Sequence, residues 1–194
     1  YKRQAKPPSP VSDQRPDPAP AAAPTAATKP DRDAATSPAG TLILGLGNVL
    51  LTDEAVGVAV LDALAPLAAA DPSVTLMDGG TLSFTLAGPI GDAARLVVVD
   101  AARMGQAPGT VRVLEGAAMD AQLSKYANNV HEVSLSDLFD IARLTDSLPG
   151  RRALVGIEPE RVDWGSELTA AVAAAVPKAV GEIEALLARW RGGP

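Results

Sequence analysis

The sequence predicts an α/β domain, a three-layer αβα sandwich in which a mostly parallel, twisted sheet of about five strands carries helices on both faces. Three observations lead to this prediction. Apolar runs alternate with longer segments of helical periodicity along residues 41–194. Most of these runs are continuously hydrophobic, which is typical of strands that are buried on both faces. The 154 residues of this region suit a single domain.

The first half of the domain is predicted to form strand, helix, strand, helix and strand. "TLILGLG" (41–47) is a continuous apolar run, and residues 54–69 place Val58, Leu61, Leu64 and Ala65 on one helical face. "VTLMDGG" (74–80) is a second strand, which stops at a glycine pair, and "TLSFTLAGPI" (81–90) is a short helix. "RLVVVDA" (95–101) is the most hydrophobic run, so we expect it at the centre of the sheet.

The second half begins with a strand of different character. "GTVRVLE" (109–115) alternates apolar and polar residues, as a half-exposed or edge strand does. "SLSDLFDIARLTDSL" (134–148) is an amphipathic helix that turns Leu135, Leu138, Phe139 and Ala142 to one face. Its first residues, Ser134 and Asp137, have the types and spacing of a reciprocal N-terminal cap.

The chain ends with a strand and a long helix. "RRALVGIEP" (151–159) is the fifth predicted strand. Residues 166–190 form a helix that Pro177 is expected to kink or divide, because proline lacks the N–H that the helix requires.

Residues 1–40 differ in composition from the rest of the chain. They hold nine of the 17 prolines, and their only large apolar side chains are Tyr1 and Val11. Such a segment buries too little apolar surface to offset the loss of chain entropy, so we expect a disordered tail. It contains no apolar core of the kind found in secretory signal peptides.

The predicted domain is acidic and lacks cysteine. The tail holds six of the 17 basic and four of the 23 acidic residues, which leaves residues 41–194 with a net charge of −8. That balance argues against nucleic acid as a partner. The absence of cysteine excludes disulfides, thiolate metal sites and a cysteine nucleophile. No apolar run reaches the ~18 residues of a membrane span, so we expect a soluble, cytoplasmic protein, with a monomer as the default assembly.

Acidic residues follow several of the predicted strands. Asp53 and Glu54 come after the first strand, Asp78 lies in the second and Asp100 in the third, and the only histidine, His131, precedes a helix. Because ligands of open parallel sheets bind beyond the carboxyl ends of the strands, these side chains are expected to meet at one edge. Carboxylates and an imidazole favour a divalent cation such as nickel or zinc over an anionic ligand.

Each of these residues also has a structural interpretation. Asp53 fits the position of a helix cap, and Glu54 that of an ordinary acid in the first turn. Asp78 precedes two glycines and fits a turn, and a lone histidine such as His131 is often structural. Asp100 is harder to explain in this way, because a carboxylate at the end of a buried strand requires a partner.

The glycines of "GLGN" (45–48) raise a different possibility. Gly-x-Gly between a strand and a helix is found in dinucleotide-binding loops, where the backbone approaches a phosphate. The third glycine of that pattern is absent here, and acids stand close to the place of the phosphate. The nucleotide interpretation therefore remains a weak alternative.

Five segments in order resemble one protein family. "ILGLGNVLLTDEAVGVAVLDAL", "MDGGT", "VVVDAARMGQAPGTV", "HEVSLSDLFDIARL" and "LVGIEP" are similar to the hydrogenase maturation endopeptidases. The resemblance covers about residues 41–190. It implies an enzyme that removes a C-terminal peptide from the large-subunit precursor of a nickel–iron hydrogenase after nickel has been inserted.

The resemblance also implies roles for four residues. The metal-contacting positions of the family correspond here to Glu54, Asp100 and His131, and the acid of "DGG" corresponds to Asp78. On this basis Glu54, Asp100 and His131 are expected to contact nickel carried by the substrate, for which zinc or cadmium could substitute. Asp78 is a candidate general base or orienting residue.

Two alternatives remain open at this point. One is a noncatalytic maturation chaperone that recognises the nickel-loaded subunit without cutting it. The other is the nucleotide-binding α/β enzyme. The three hypotheses differ in whether the mass of a nickel-loaded precursor changes when the two proteins are mixed.

Overall fold

Five strands form one sheet in the order β2-β1-β3-β5-β4. The computed structural model describes residues 40–124 and 134–192, so the tail predicted over residues 1–40 lies, except for Gly40, outside the described residues. The strands are β1 (Thr41–Leu46), β2 (Val74–Gly80), β3 (Arg95–Ala101), β4 (Val111–Glu115) and β5 (Arg151–Ile157). All five predicted strands are confirmed, with ends that move by at most two residues.

The sheet is parallel except at one edge. β1 pairs in parallel with β2 and β3, and β3 pairs in parallel with β5. β4 pairs only with β5, in the antiparallel sense, and is the edge strand that its alternating pattern predicted. β3 lies at the centre, as its continuous hydrophobicity predicted.

Five helices cover the sheet in the described part of the chain. They are α1 (Val56–Ala70), α2 (Ala87–Asp92), α3 (Ala117–Ser124), α4 (Leu135–Leu144) and α5 (Ala170–Arg191), with short 3-10 turns at Thr52–Ala55 and Phe84–Leu86. α3 was not predicted, and α5 runs through Pro177 without division. None of the helices in residues 40–124 and 134–192 has the length and apolar character to cross a membrane.

Two apolar cores lie on opposite faces of the sheet. α1 and α5 pack on one face through side chains such as Val60, Leu64 and Ile183. α2, α3 and α4 cover the other face through Ile90, Met119 and Phe139, among others. The fold is therefore the three-layer αβα sandwich that the sequence predicted.

The predicted cap of α4 is present. The Ser134 hydroxyl accepts a hydrogen bond from the Asp137 backbone at 3.2 Å, and the Asp137 carboxylate accepts one from the Ser134 backbone at 2.8 Å. This reciprocal pair satisfies two backbone donors at the start of the helix. It fixes the point at which the chain enters α4.

Gly45 and Gly57 allow α1 to pack directly on the sheet. A Cβ at Gly45 would lie 2.7 Å from the Gly57 carbonyl oxygen, and a Cβ at Gly57 would lie 2.7 Å from the Val99 carbonyl oxygen. Any larger residue at either position would push the helix away from β1 and β3. Packing thus accounts for the glycine-rich segment, and a phosphate is not needed to explain it.

Candidate functional site

A cavity of about 460 Å³ lies at the carboxyl end of the sheet, on the face covered by α2, α3 and α4. Ligands of open parallel sheets bind at this end. Most of the cavity wall is apolar, and its charged residues are two carboxylates, Glu54 and Asp100, and the guanidinium of Arg103. Its lining residues are Leu46, Glu54, Leu82, Asp100, Ala101, Ala102, Arg103, Gln122, Leu123, Ser134, Leu135, Ser136, Leu154, Pro159 and Val162.

Asp100 is placed in the cavity by the central strand. It lies next to Gly156 of β5 and follows the buried Val99. Burial raises the pKa of the Asp100 carboxyl to about 7, a hydrogen bond from the Ala101 backbone opposes the rise, and the charge of nearby Glu54 adds to it. A carboxyl with this pKa can hold or release a proton near neutral pH, or give up its proton to bind a cation.

Asp100→Asn should therefore stabilise the protein at alkaline pH. The folded state keeps a proton that the unfolded chain releases above its ordinary pKa of 3.8, so wild-type stability falls from there to about pH 7 and stays low above it. Asparagine has no proton to lose. We expect the variant to be about 2 kcal/mol more stable than wild type at pH 8, with a smaller difference at pH 5.

Denaturant titrations of wild type and Asp100→Asn at the two pH values measure this difference. A stability difference that does not change with pH would show that the Asp100 carboxyl titrates in the folded state as it does in the unfolded chain.

Glu54 enters the same cavity from the 3-10 turn that precedes α1. The turn covers Thr52–Ala55, and Glu54 is its partly buried member. Its charge is close enough to Asp100 to raise the pKa of that carboxyl. Two carboxylates from different strand ends thus share one cavity, which favours a cation or a proton between them.

Asp53 does not cap α1, so that prediction is wrong. Its side chain makes no cap hydrogen bond and is fully buried. The carboxylate accepts hydrogen bonds from the backbone N–H groups of Glu160 and Arg161 at 2.9 Å and of Thr169 at 2.7 Å. Desolvation by burial opposes ionisation, but these hydrogen bonds outweigh it and hold the pKa of Asp53 below its ordinary value.

Asp78 lies outside the residues that line the cavity. It belongs to β2, is exposed, and accepts a hydrogen bond from the Gly80 backbone at 2.8 Å. Its neighbour Met77 packs on the core under α2 and α4, whereas Leu76 packs on the opposite core. Because side chains alternate along a strand, Asp78 lies on the α1–α5 face, opposite the cavity. A catalytic role for Asp78 stays a prediction without support from this geometry.

His131 lies outside the described residues. Leu123 and Ser134, which stand close to either end of the segment that contains it, both line the cavity. Within residues 40–124 and 134–192, no three Asp, Glu or His side chains come together as a metal site. The structure therefore brings together Glu54 and Asp100 of the predicted set.

Glu158 is a buried carboxylate that the sequence analysis missed. It follows β5, and its Oε2 accepts hydrogen bonds from the backbone N–H groups of Met104 at 2.6 Å and Gln106 at 3.1 Å. It thereby holds the loop after β3, which carries the cavity residue Ala102. The signal was present in the sequence, because an acid directly after the apolar run "LVGI" repeats the pattern that singled out Asp100.

A second cavity, of about 480 Å³, lies at the opposite end of the sheet between β4, β5 and α5. Arg189 pairs with Glu115 at 2.8 Å, and the Trp190 indole donates a hydrogen bond to the same carboxylate at 3.1 Å. Arg152 makes two hydrogen bonds to Asp120. Because these groups bind one another, they hold α5 and α3 to the sheet and do not form a candidate site.

Comparison with known proteins places the chain among enzymes of one kind. Residues 58–186 match the hydrogenase maturation protease family (HycI). The hydrogenase expression/formation protein HoxM of Cupriavidus necator is 36% identical over 152 residues, or 78% of this chain and 75% of that protein. The hydrogenase 2 maturation protease of Escherichia coli K12 is 33% identical over 147 residues, or 75% of this chain and 89% of that protein.

Solved structures that are similar to this chain are also hydrogenase maturation enzymes. The hydrogenase maturating endopeptidase HybD from E. coli is 32% identical and superposes with a TM-score of 0.69, over 77% of this chain and 93% of that one. The hydrogenase maturation protease HybD from Thermococcus kodakarensis is 27% identical and superposes with a TM-score of 0.60, over 76% and 98% of the two chains.

Proposed function

The chain belongs to the hydrogenase maturation protease family, and from this we propose that it removes the C-terminal extension of the large-subunit precursor of a nickel–iron hydrogenase. We further propose that nickel carried by the precursor is what the enzyme recognises. The observation that carries the proposal is the meeting of Glu54 and Asp100 in one cavity at the carboxyl end of the sheet.

The cavity has the character that such a substrate needs. Leu46, Leu82 and Leu135 give it apolar walls, against which an extended peptide can pack. The two carboxylates, Glu54 and Asp100, lie where a cation on the substrate would reach them. Asp100 is held mainly protonated below about pH 7, and an arriving dication would displace that proton and gain a charged ligand.

The small number of ligands supports a metal that arrives with the substrate. The chain has no cysteine and one histidine, and the described cavity offers two carboxylates. Such a set binds nickel, zinc or cadmium weakly when it acts alone. Thiolates of the precursor would supply the remaining ligands, so that productive docking depends on the presence of nickel. His131 is proposed as the third ligand from this chain.

Peptide hydrolysis in this arrangement requires an activated water. Nickel held between precursor and enzyme could polarise the scissile carbonyl or lower the pKa of a bound water. Asp100 in its ionised form, or Asp78 if a bound substrate brings the reacting water to it, is a candidate base. We favour Asp100, because it lies in the cavity and Asp78 does not; its carboxylate would hold the metal through one oxygen and accept the proton on the other.

The test is to mix the full chain with purified precursor in two states, loaded with nickel and free of nickel. Mass spectrometry should show loss of the C-terminal extension only in the nickel-loaded sample. Equal cleavage of both samples would overturn recognition through nickel but keep the protease assignment. Stable binding without any change in precursor mass would instead support the chaperone alternative.

A further inference from the structure

Asp53 is the most completely bound carboxylate next to the candidate site. It accepts three backbone hydrogen bonds, from Glu160, Arg161 and Thr169, and a fourth from the Thr169 hydroxyl at 3.0 Å. All four donors belong to the loop of residues 158–169, which joins β5 to α5. We call this loop the 158–169 loop.

Thr52 reinforces the same connection. Its hydroxyl donates a hydrogen bond to the Arg161 carbonyl at 2.9 Å and accepts one from the Asp163 backbone at 3.1 Å. Its backbone N–H donates to the Gly165 carbonyl at 2.7 Å, and it is held at a φ of 29°, which non-glycine residues rarely adopt. A strained backbone of this kind persists only where its surroundings fix it.

The connection joins two segments that line the cavity. Glu54 follows Asp53 directly in the same short turn, so it cannot move far while Asp53 is fixed. Pro159 and Val162 of the 158–169 loop line the same cavity as Glu54. Hydrogen bonds accepted by one carboxylate therefore link the turn that carries Glu54 to a loop that lines the same cavity.

We propose that Asp53 is a positioning residue, which locks the turn of Glu54 to the 158–169 loop so that the carboxylate of Glu54 is held in place before the precursor docks. The inference rests on the proposed function in so far as Glu54 serves precursor processing. A bound anion with four donors suits this task, because an ionised acceptor makes stronger and more directional hydrogen bonds than a neutral one. Preorganisation of this kind lowers the cost of ordering the site during binding.

The first arm of the test measures the position of Glu54 without any substrate. Asp53→Asn removes at least one acceptor, and Thr169→Val, a milder variant, removes the hydroxyl donor alone. Ile183→Ala creates a cavity in the α1–α5 core and serves as the control for general loss of stability. We expect the NMR order parameter of the Glu54 backbone N–H to fall from about 0.85 to below about 0.6 in Asp53→Asn, and to stay high in Ile183→Ala.

The second arm asks whether Asp53 acts through Glu54. Wild type, Asp53→Asn, Glu54→Gln and the double variant are compared in processing of nickel-loaded precursor, at a temperature where all four are folded. We expect Asp53→Asn to lower kcat/KM about tenfold in the presence of Glu54 and less than about twofold when Glu54 is already glutamine. The same factor in both backgrounds would mean that Asp53 supports the fold in general.

The two arms separate failure of the inference from failure of the proposed function. If the Glu54 backbone is as ordered in Asp53→Asn and in Thr169→Val as it is in wild type, the positioning role is overturned, whatever the processing rates are. If Glu54→Gln leaves processing intact, the proposed role of Glu54 fails, and the order parameter alone then decides whether Asp53 holds the turn.

Discussion

Glu54→Gln and Asp100→Asn are each expected to slow processing of the nickel-loaded precursor about 100-fold while leaving the protein folded. Both changes replace a carboxylate by an amide of nearly the same shape, so the cavity keeps its volume and loses a charged group that we propose as a ligand for the metal. Loss of one ligand from a set this small weakens the contact to nickel and any charge stabilisation that depends on it. His131→Ala is expected to have a similar effect on the basis of the sequence alone.

The measurement pairs a thermal melt with a processing assay for each variant. Asp62→Asn is the matched control, because Asp62 is an exposed acid of α1 that does not line the cavity. It should process the precursor at the wild-type rate. Normal processing by both the Asp100 and the His131 variants would contradict the proposed metal site, whatever the fold.

The second large effect concerns two helical glycines whose replacement by alanine should change stability in opposite directions. A Cβ at Gly57 would lie 2.7 Å from the Leu46 backbone nitrogen and the Val99 carbonyl oxygen, and no side-chain rotation can relieve contacts with backbone. We expect Gly57→Ala to cost about 3 kcal/mol or more, through displacement of α1 from the sheet. Gly181 of α5 is exposed and has open space around its Cα, so Gly181→Ala should stabilise by about 0.5–1 kcal/mol.

Helix propensity alone predicts that both substitutions stabilise, since alanine is the better helix former. Thermal melts of the two variants therefore separate propensity from packing. A stabilised Gly57→Ala protein would mean that α1 does not approach β1 and β3 as closely as the structure indicates.

The order of the strands could be predicted because most of them contain a continuous apolar run, and β4 alternates apolar and polar residues as an edge strand does. α3 was not predicted because Met119 is its only fully buried residue, so it has no clear apolar periodicity. The ion pair of its Asp120 with Arg152 is between residues distant in sequence, which no local pattern reveals. Pro177 does not divide α5, because Ala173 and Pro177 lie on the solvent side of the helix. There water can bind the carbonyl that the proline leaves free.

Helical periodicity found α1 and half of the residues on its buried face. Leu61 and Leu64 are buried as predicted, but Val58 is only partly buried and Ala65 is exposed. The structure buries Val56 and Val60 in their place. The close approach of Gly57 to the sheet fixes the rotation of the helix, and this contact depends on strands that are distant in sequence. A periodic pattern with many alanines and valines allows more than one face.

The residues of the candidate site also differ in whether the local sequence or distant contacts reveal their roles. Asp100 could be found from its own strand, because an acid at the end of a buried apolar run stands out. Glu54 required the family resemblance, since a first-turn acid is common. The role of Asp53 could not be predicted, because its hydrogen-bond partners lie 107–116 residues further along the chain.

The distance in sequence between Asp53 and its hydrogen-bond donors determines when its hydrogen bonds can form during synthesis. While the chain is being synthesised, β1 and the turn with Glu54 emerge early, but the donors that Asp53 needs are among the last third of the residues. Closing a loop of more than 100 residues is slow relative to local helix formation. A nascent or truncated chain therefore lacks the donors that hold Asp53. If Asp53 positions Glu54 as we propose, Glu54 is fixed only when the full domain has been released and folded.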